Sequence, residues 1–173
     1  DEGDYFNEIL TKKSENSIKS LNIFKSVNTK IINGKADKSK IIEINVEEKA
    51  TGEVMAGAGF GTDGGSISFG VKENNYLGKG IRFDTDLTLN AESIKGQIGI
   101  TNPNYKNSDK SVYTSIQVIE IDRLKDFGYK TNKTGFTLGT DFEYYDDLFF
   151  GVGINSYYES IETDSTASAQ QKK

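Results

Sequence analysis

From Gly52 to Tyr158, apolar side chains return at every second position in one strand-length segment after another, and they hardly ever run together. Val54, Ala56, Ala58 and Phe60 share a face, followed by Ile67, Phe69 and Val71 and then by Ile81, Phe83, Thr85, Leu87 and Leu89. Arg82, Asp84, Asp86, Thr88 and Asn90 fall on the opposite face. A period of two marks a strand, because successive side chains leave a pleated backbone on opposite sides. The pattern predicts seven strands, over 52–62, 66–74, 80–90, 92–102, 111–122, 134–145 and 147–161. The connections are Asp63-Gly64-Gly65, Asn74-Asn75 through Gly80, Asn90-Ala91, Pro103 to Lys110, Asp126 to Lys133 and Asp146-Asp147. Turns this short join each strand to the next in an antiparallel up-and-down meander. A soluble sheet turns its apolar face inward, whereas a membrane barrel turns it out to lipid and keeps charge and glycine in the lumen. The alternation alone is compatible with both.

Residues 4 to 49 read differently. Tyr5, Phe6, Ile9 and Leu10 are at helical spacing, and Ser14 opens a second helical segment in which Ile18 and Leu21 recur before Asn22, a residue suited to a left-handed helix stop. Val27 to Ile32 and Lys40 to Glu47 then read as strands, with Ile42, Ile44 and Val46 alternating with charge. The turn between them is Asn33-Gly34-Lys35-Ala36-Asp37. The expected order is helix, helix, strand, strand. The chain thus divides into 1–50, 51–163 and a polar, low-complexity end at 164–173 expected to be a loop or a frayed end.

Composition narrows the chemistry. The 173 residues carry a formal charge of -5, which argues against a nucleic-acid footprint, since that needs a basic face. Cysteine and histidine are absent, so disulfides, thiol chemistry and the commonest general base and metal ligand are excluded. No run approaches the ~20 apolar residues of a membrane helix, but a barrel strand needs only about 10, half of them facing lipid. Beginning at Asp1 without a methionine, the chain is expected to be a mature product or a fragment.

Candidate sites are few. Gly59, Gly61 and Gly64 match a dinucleotide-binding glycine pattern, yet Ser66 to Val71 continues as a strand where a phosphate-binding helix would have to begin. Asp84 with Asp86, and Asp141 with Glu143, are same-face carboxylate pairs; beside Arg82, Lys72, Lys95 and Gln97 the first reads as a mixed-charge lumen rather than an acid and base couple. Asp84-x-Asp86-x-Thr88-x-Asn90 lacks the loop and central glycine of a calcium site. Asn132-Lys133-Thr134 fits a glycosylation sequon and reads as loop. Tyr76, Tyr105, Tyr144, Tyr145, Tyr157 and Tyr158 lie near predicted strand ends, as an interfacial girdle would. No catalytic, cofactor or metal site is expected.

Four short motifs, in order, resemble a known family. Ser20-Leu21-Asn22-Ile23-Phe24-Lys25-Ser26-Val27 resembles the end of the second helix of a polypeptide-transport-associated (POTRA) domain. Glu43 to Lys49 with Gly57-Ala58-Gly59-Phe60-Gly61-Thr62, then Asn75-Tyr76-Leu77-Gly78-Lys79-Gly80, then Thr101-Asn102-Pro103, follow as they do where the last such domain enters the barrel of the BamA-like outer-membrane assembly factors. Asn22 stands where that family usually has glycine, and Tyr76 where it often has tryptophan.

The resemblance implies an incomplete α+β POTRA domain, lacking its first strand, followed by the first strands of a transmembrane β-barrel in the bacterial outer membrane, with the N-terminal part in the periplasm. It also implies insertion of other barrel proteins without nucleotide hydrolysis, with unfolded client proteins, periplasmic accessory lipoproteins and the lipid bilayer as partners. On that reading the seam strand for client pairing is Val54, Met55, Ala56, Gly57, Ala58, Gly59 and Phe60. The periplasmic edge strand is Val27, Asn28, Thr29, Lys30, Ile31 and Ile32. The rivals are a protein-exporting barrel of the same superfamily, a soluble β-rich binding module and a passive porin, the last disfavoured by the small N-terminal unit.

Overall fold

The computed structural model describes residues 3–36, 39–61, 64–145 and 148–169. The predicted turn residues Asp37, Asp63, Asp146 and Asp147 lie outside them. The chain divides into two compact units, Asp1–Thr51 and Gly52–Lys173.

The first unit has one helix where two are predicted. Helix α1 (Glu8–Ser20) runs without interruption through Ser14, because no glycine or proline intervenes and a Glu15–Lys19 ion pair spans the middle of the segment. Its true start is Asn7, whose side-chain oxygen accepts from the N–H groups of Ile9 and Leu10 at 2.9 and 3.1 Å. Tyr5 and Phe6 precede the helix. At the other end Asn22 adopts φ 57, the left-handed stop expected of it. Strands β1 (Phe24–Asn33) and β2 (Lys40–Glu48) pair antiparallel, Val27 opposite Val46 and Thr29 opposite Ile44. Among the described residues of this unit only Ile23 and Val27 are buried, while Ile42, Ile44 and Val46 of β2 remain exposed.

The second unit is a single antiparallel sheet of seven strands in sequential order, as the meander requires. Its strands are β3 (Gly52–Gly61), β4 (Gly64–Tyr76), β5 (Ile81–Asn90), β6 (Ser93–Asn102), β7 (Lys110–Arg123), β8 (Tyr129–Tyr145) and β9 (Leu148–Thr163). The sheet does not close on itself: β3 and β9 are its two edges. The end at which Gly52 begins β3 also carries the turns 76–81, 102–110 and 145–148, and is called the near end here; the far end carries the turns 61–64, 90–93 and 123–129.

The register explains both the alternation and its failure at one corner. Val54, Val71, Thr85, Ile98, Ile116, Phe136 and Ser156 form one continuous row across all seven strands, every member on the same face. Strand β8 begins at Tyr129, earlier than the apolar period predicts, and pairs with β7 from the outset. The reason is charge rather than burial: the Lys130 ammonium lies 2.6 Å from Glu120 and 3.8 Å from Asp122, and these pairs carry the ladder past the last apolar position. The expected loop Asp126 to Lys133 shrinks accordingly to a single helical turn, α2 (Leu124–Phe127), closed by Gly128 at φ 72. Tyr157 and Tyr158 therefore stand opposite Gly135 and Thr134 inside the β8–β9 ladder, away from the strand end where they were expected.

Candidate functional site

The two faces of the sheet differ in chemistry and in shelter. Along the middle strands, Ile98, Ile116 and Phe136 on the apolar face are 52%, 54% and 46% exposed. Gly99, Gly135 and Gly139, on the polar face of the same strands, are buried. The polar face is the more sheltered of the two. No other layer covers the sheet among the described residues, and the alternating apolar face therefore has nothing packed against it.

The polar face is fitted by pairing small residues with large ones. A Cβ at Gly99 would meet the Asp84 carboxylate at 2.7 Å, and one at Gly70 would meet Asp86 at 2.8 Å and Met55 at 3.0 Å. At Gly139 a Cβ would overlap the Tyr113 ring, whose hydroxyl reaches on toward Gly153 of β9. The mixed-charge lumen read from the sequence assembles here: Lys72 is the cross-strand partner of Asp84, Gln97 of Asp86, and Lys95 of Thr88. Lys133 sits 4.1 Å from the ring of Tyr157 on the same face. Asp141 and Glu143 also share this face, opposite Gly151 and Phe149. No group of three or more metal-ligating side chains gathers among the described residues. Gly59, Gly61 and Gly64 fall in a hairpin between two strands, with no helix start beside them.

The seam residues Val54 to Phe60 occupy the edge strand β3. Gly61 and Gly64 face each other across a two-residue connection, and such a pair exchanges both of its main-chain hydrogen bonds. Counting back from that pair, Gly59, Gly57, Met55 and Glu53 bond to β4. Phe60, Ala58, Ala56 and Val54 direct their N–H and C=O groups at the open edge. The alternation holds across the sheet, since Asp122 N–H donates to Glu92 O at 2.7 Å and Asp164 N–H to Gly128 O at 2.8 Å, both with the parity this register demands. Ala56 and Ala58 keep the outer side of that edge thin. On the inner side, Cβ atoms at Gly57 and Gly59 would meet only the hydroxyls of Ser68 and Ser66.

Val27 to Ile32 lie in β1, which among the described residues pairs on one side, with β2. Its faces are unequal, because Val27 is buried on one side while Asn28 and Lys30 are exposed on the other. The Glu15 carboxyl is held below its ordinary range, first by hydrogen bonding to the Lys19 ammonium and then by Thr29.

No protein-family model matches the chain. Among solved structures, BamA from Haemophilus ducreyi lacking POTRA domains 1–3 matches with a TM-score of 0.75 at 19% identity, over 94% of this chain and 32% of that one. The chain has a BamA-like fold. It spans about a third of the length of that structure. The Tyr113 ring over Gly139 leaves no sequence motif, although two glycines on one face of β8, Gly135 and Gly139, are a sign of large neighbours across that strand. The edge-facing parity of Val54, Ala56, Ala58 and Phe60 likewise follows only from the register.

Proposed function

We propose that this chain is the front section of a BamA-like assembly factor that inserts β-barrel proteins into the bacterial outer membrane. The carrying observation is the edge strand β3, which offers the N–H and C=O groups of Val54, Ala56, Ala58 and Phe60 at the margin of a sheet whose uncovered face is apolar. In hydrocarbon an unpaired backbone group costs several kcal/mol, so a strand so placed draws in another strand. An unfolded client strand pairs with β3 by β-augmentation, and its own next hairpin then becomes the new edge. Glycine and alanine along β3 weaken side-chain packing between the strands, which eases release. No nucleotide is needed, because the free energy comes from hydrogen bonding and apolar transfer to lipid. The small N-terminal unit stands in the periplasm, where β1 and accessory lipoproteins hand over the client.

The test is disulfide trapping in the intact protein. Cysteine at Val54, Ala56 or Ala58 is expected to cross-link a cysteine in the terminal strand of a client during its insertion, and cysteine at Ile98 in the sheet centre to give none. Equal cross-linking at Ile98, or none at the edge while clients still insert, overturns the proposal.

A further inference from the structure

Two neighbouring turns at the near end are built in a way their strands do not require. In the turn between β4 and β5, Leu77 takes φ 58, a left-handed conformation that a branched residue adopts only under constraint, and it is 72% exposed. The turn is held rigid by Gly78 N–H donating to Asn75 O at 2.8 Å and Gly80 N–H donating to the Asn75 side chain at 2.7 Å. Asparagine or glycine is the usual tenant of such a position, so a leucine is held out where a polar residue would fit better. Lys79 follows it, and Tyr76 beside it stacks on Phe83 with ring centroids 5.5 Å apart.

The turn between β6 and β7 repeats the arrangement. Lys106 and Asn107 have φ 54 and 56, exposed Tyr105 carries the Lys106 ammonium 5.5 Å over its ring, and Lys110 opens the next strand. The two turns thus present three lysines in a chain of net charge -5. Among the described residues of these two turns and the strand ends beside them, the carboxylates are Glu73, which accepts from Asn75 N–H at 2.7 Å, and Asp109.

We infer that these two turns dock on the anionic phospholipid headgroups of the bilayer leaflet at the near end, with Leu77, Tyr76 and Tyr105 entering the interface and Lys79, Lys106 and Lys110 contacting phosphate. The inference rests on the membrane reading of the sheet. Two things argue for lipid: Tyr76, opposite Ile81 and stacked on Phe83, carries the uncovered apolar face into the turn that exposes Leu77, and the lysines complement anionic lipid, each strengthening binding about fivefold when close to the surface.

The chain contains no tryptophan, so Leu77→Trp and, as a control on the apolar face, Ile98→Trp each add one fluorophore to it. The intact protein carrying either change is folded into vesicles doped with brominated phosphatidylglycerol or brominated phosphatidylcholine, and quenching is read as the difference from the parent. Supporting results are quenching of Leu77→Trp that is several-fold stronger with brominated phosphatidylglycerol, and loss of that preference in a Lys79→Gln, Lys106→Gln, Lys110→Gln background. Equal quenching by both lipids overturns the headgroup assignment. No quenching at position 77 with quenching at 98 means that the tips face a protein partner and overturns the lipid docking alone. No quenching at 98 overturns the membrane reading itself.

Discussion

The Tyr113 side chain lies across Gly139 on the neighbouring strand and reaches Gly153 one strand further on, so a single aromatic ring spans β7, β8 and β9 on the polar face. Gly139 is directly opposite Tyr113 in the ladder, and the ring occupies the space that any side chain there would need. Gly139→Ala is therefore expected to destabilise the sheet by about 1–3 kcal/mol, the usual range for overpacking. Tyr113→Ala made together with it should relieve the clash, giving a double mutant less damaged than the sum of the two changes. Urea unfolding of the intact protein in detergent micelles measures this, and strict additivity would refute the contact.

At the open edge the register separates two kinds of proline. Ala56→Pro or Ala58→Pro removes an N–H that faces outward, so β3 should stay paired with β4 while client insertion falls several-fold. Met55→Pro removes an N–H bonded to β4 and should unpair the strand. Resistance of the folded protein to heat and denaturant on gels, read beside client insertion in cells, distinguishes them; normal insertion with Ala56→Pro would sink the seam assignment.

At the far end, Lys130 joins Glu120 and Asp122 on the face that is apolar elsewhere. Lys130→Ala should lower global stability by at most about 1 kcal/mol, because the pairs are solvated. Its local effect should be larger, with amides at Thr131 to Lys133 exchanging hydrogen faster while those at Phe136 and Leu138 keep their protection.

In the N-terminal unit, Glu15 has its folded-state acidity strengthened by Lys19 and then Thr29. A carboxyl depressed in this way binds its proton more weakly when folded than when unfolded. It therefore adds stability above the unfolded value of about 4.3 and loses it as pH falls through the lower folded value. Helix content followed by circular dichroism should decline on acidification below about pH 4.3. Glu15→Gln should flatten that part of the profile, and an unchanged profile would contradict the assignment.

The strands and their order were legible because they depend on local rules: a period of two, and turn residues at short intervals. Asn22 at a left-handed stop was legible for the same reason, as was a face that gathers Arg82, Asp84 and Asp86 near Lys72, whereas the pairing of Lys72 with Asp84 came only with the register. The single helix was not, since Ser14 suits both a cap and an exposed helical position, and the competing cap at Asn7 with the Glu15–Lys19 pair decides between them. The early start of β8 was missed because ion pairs, which leave no hydrophobic period, extend it.

By itself the sequence determined that this protein is a meander of amphipathic strands behind a small helix-and-strand unit, since backbone geometry ties side-chain alternation to the strand without reference to anything distant. Only the tertiary structure decided which face is sheltered, which backbone groups β3 leaves unpaired, and which glycine receives Tyr113. Those properties depend on register and on how seven strands lie against one another, and the same alternation of side chains is compatible with either face being the sheltered one.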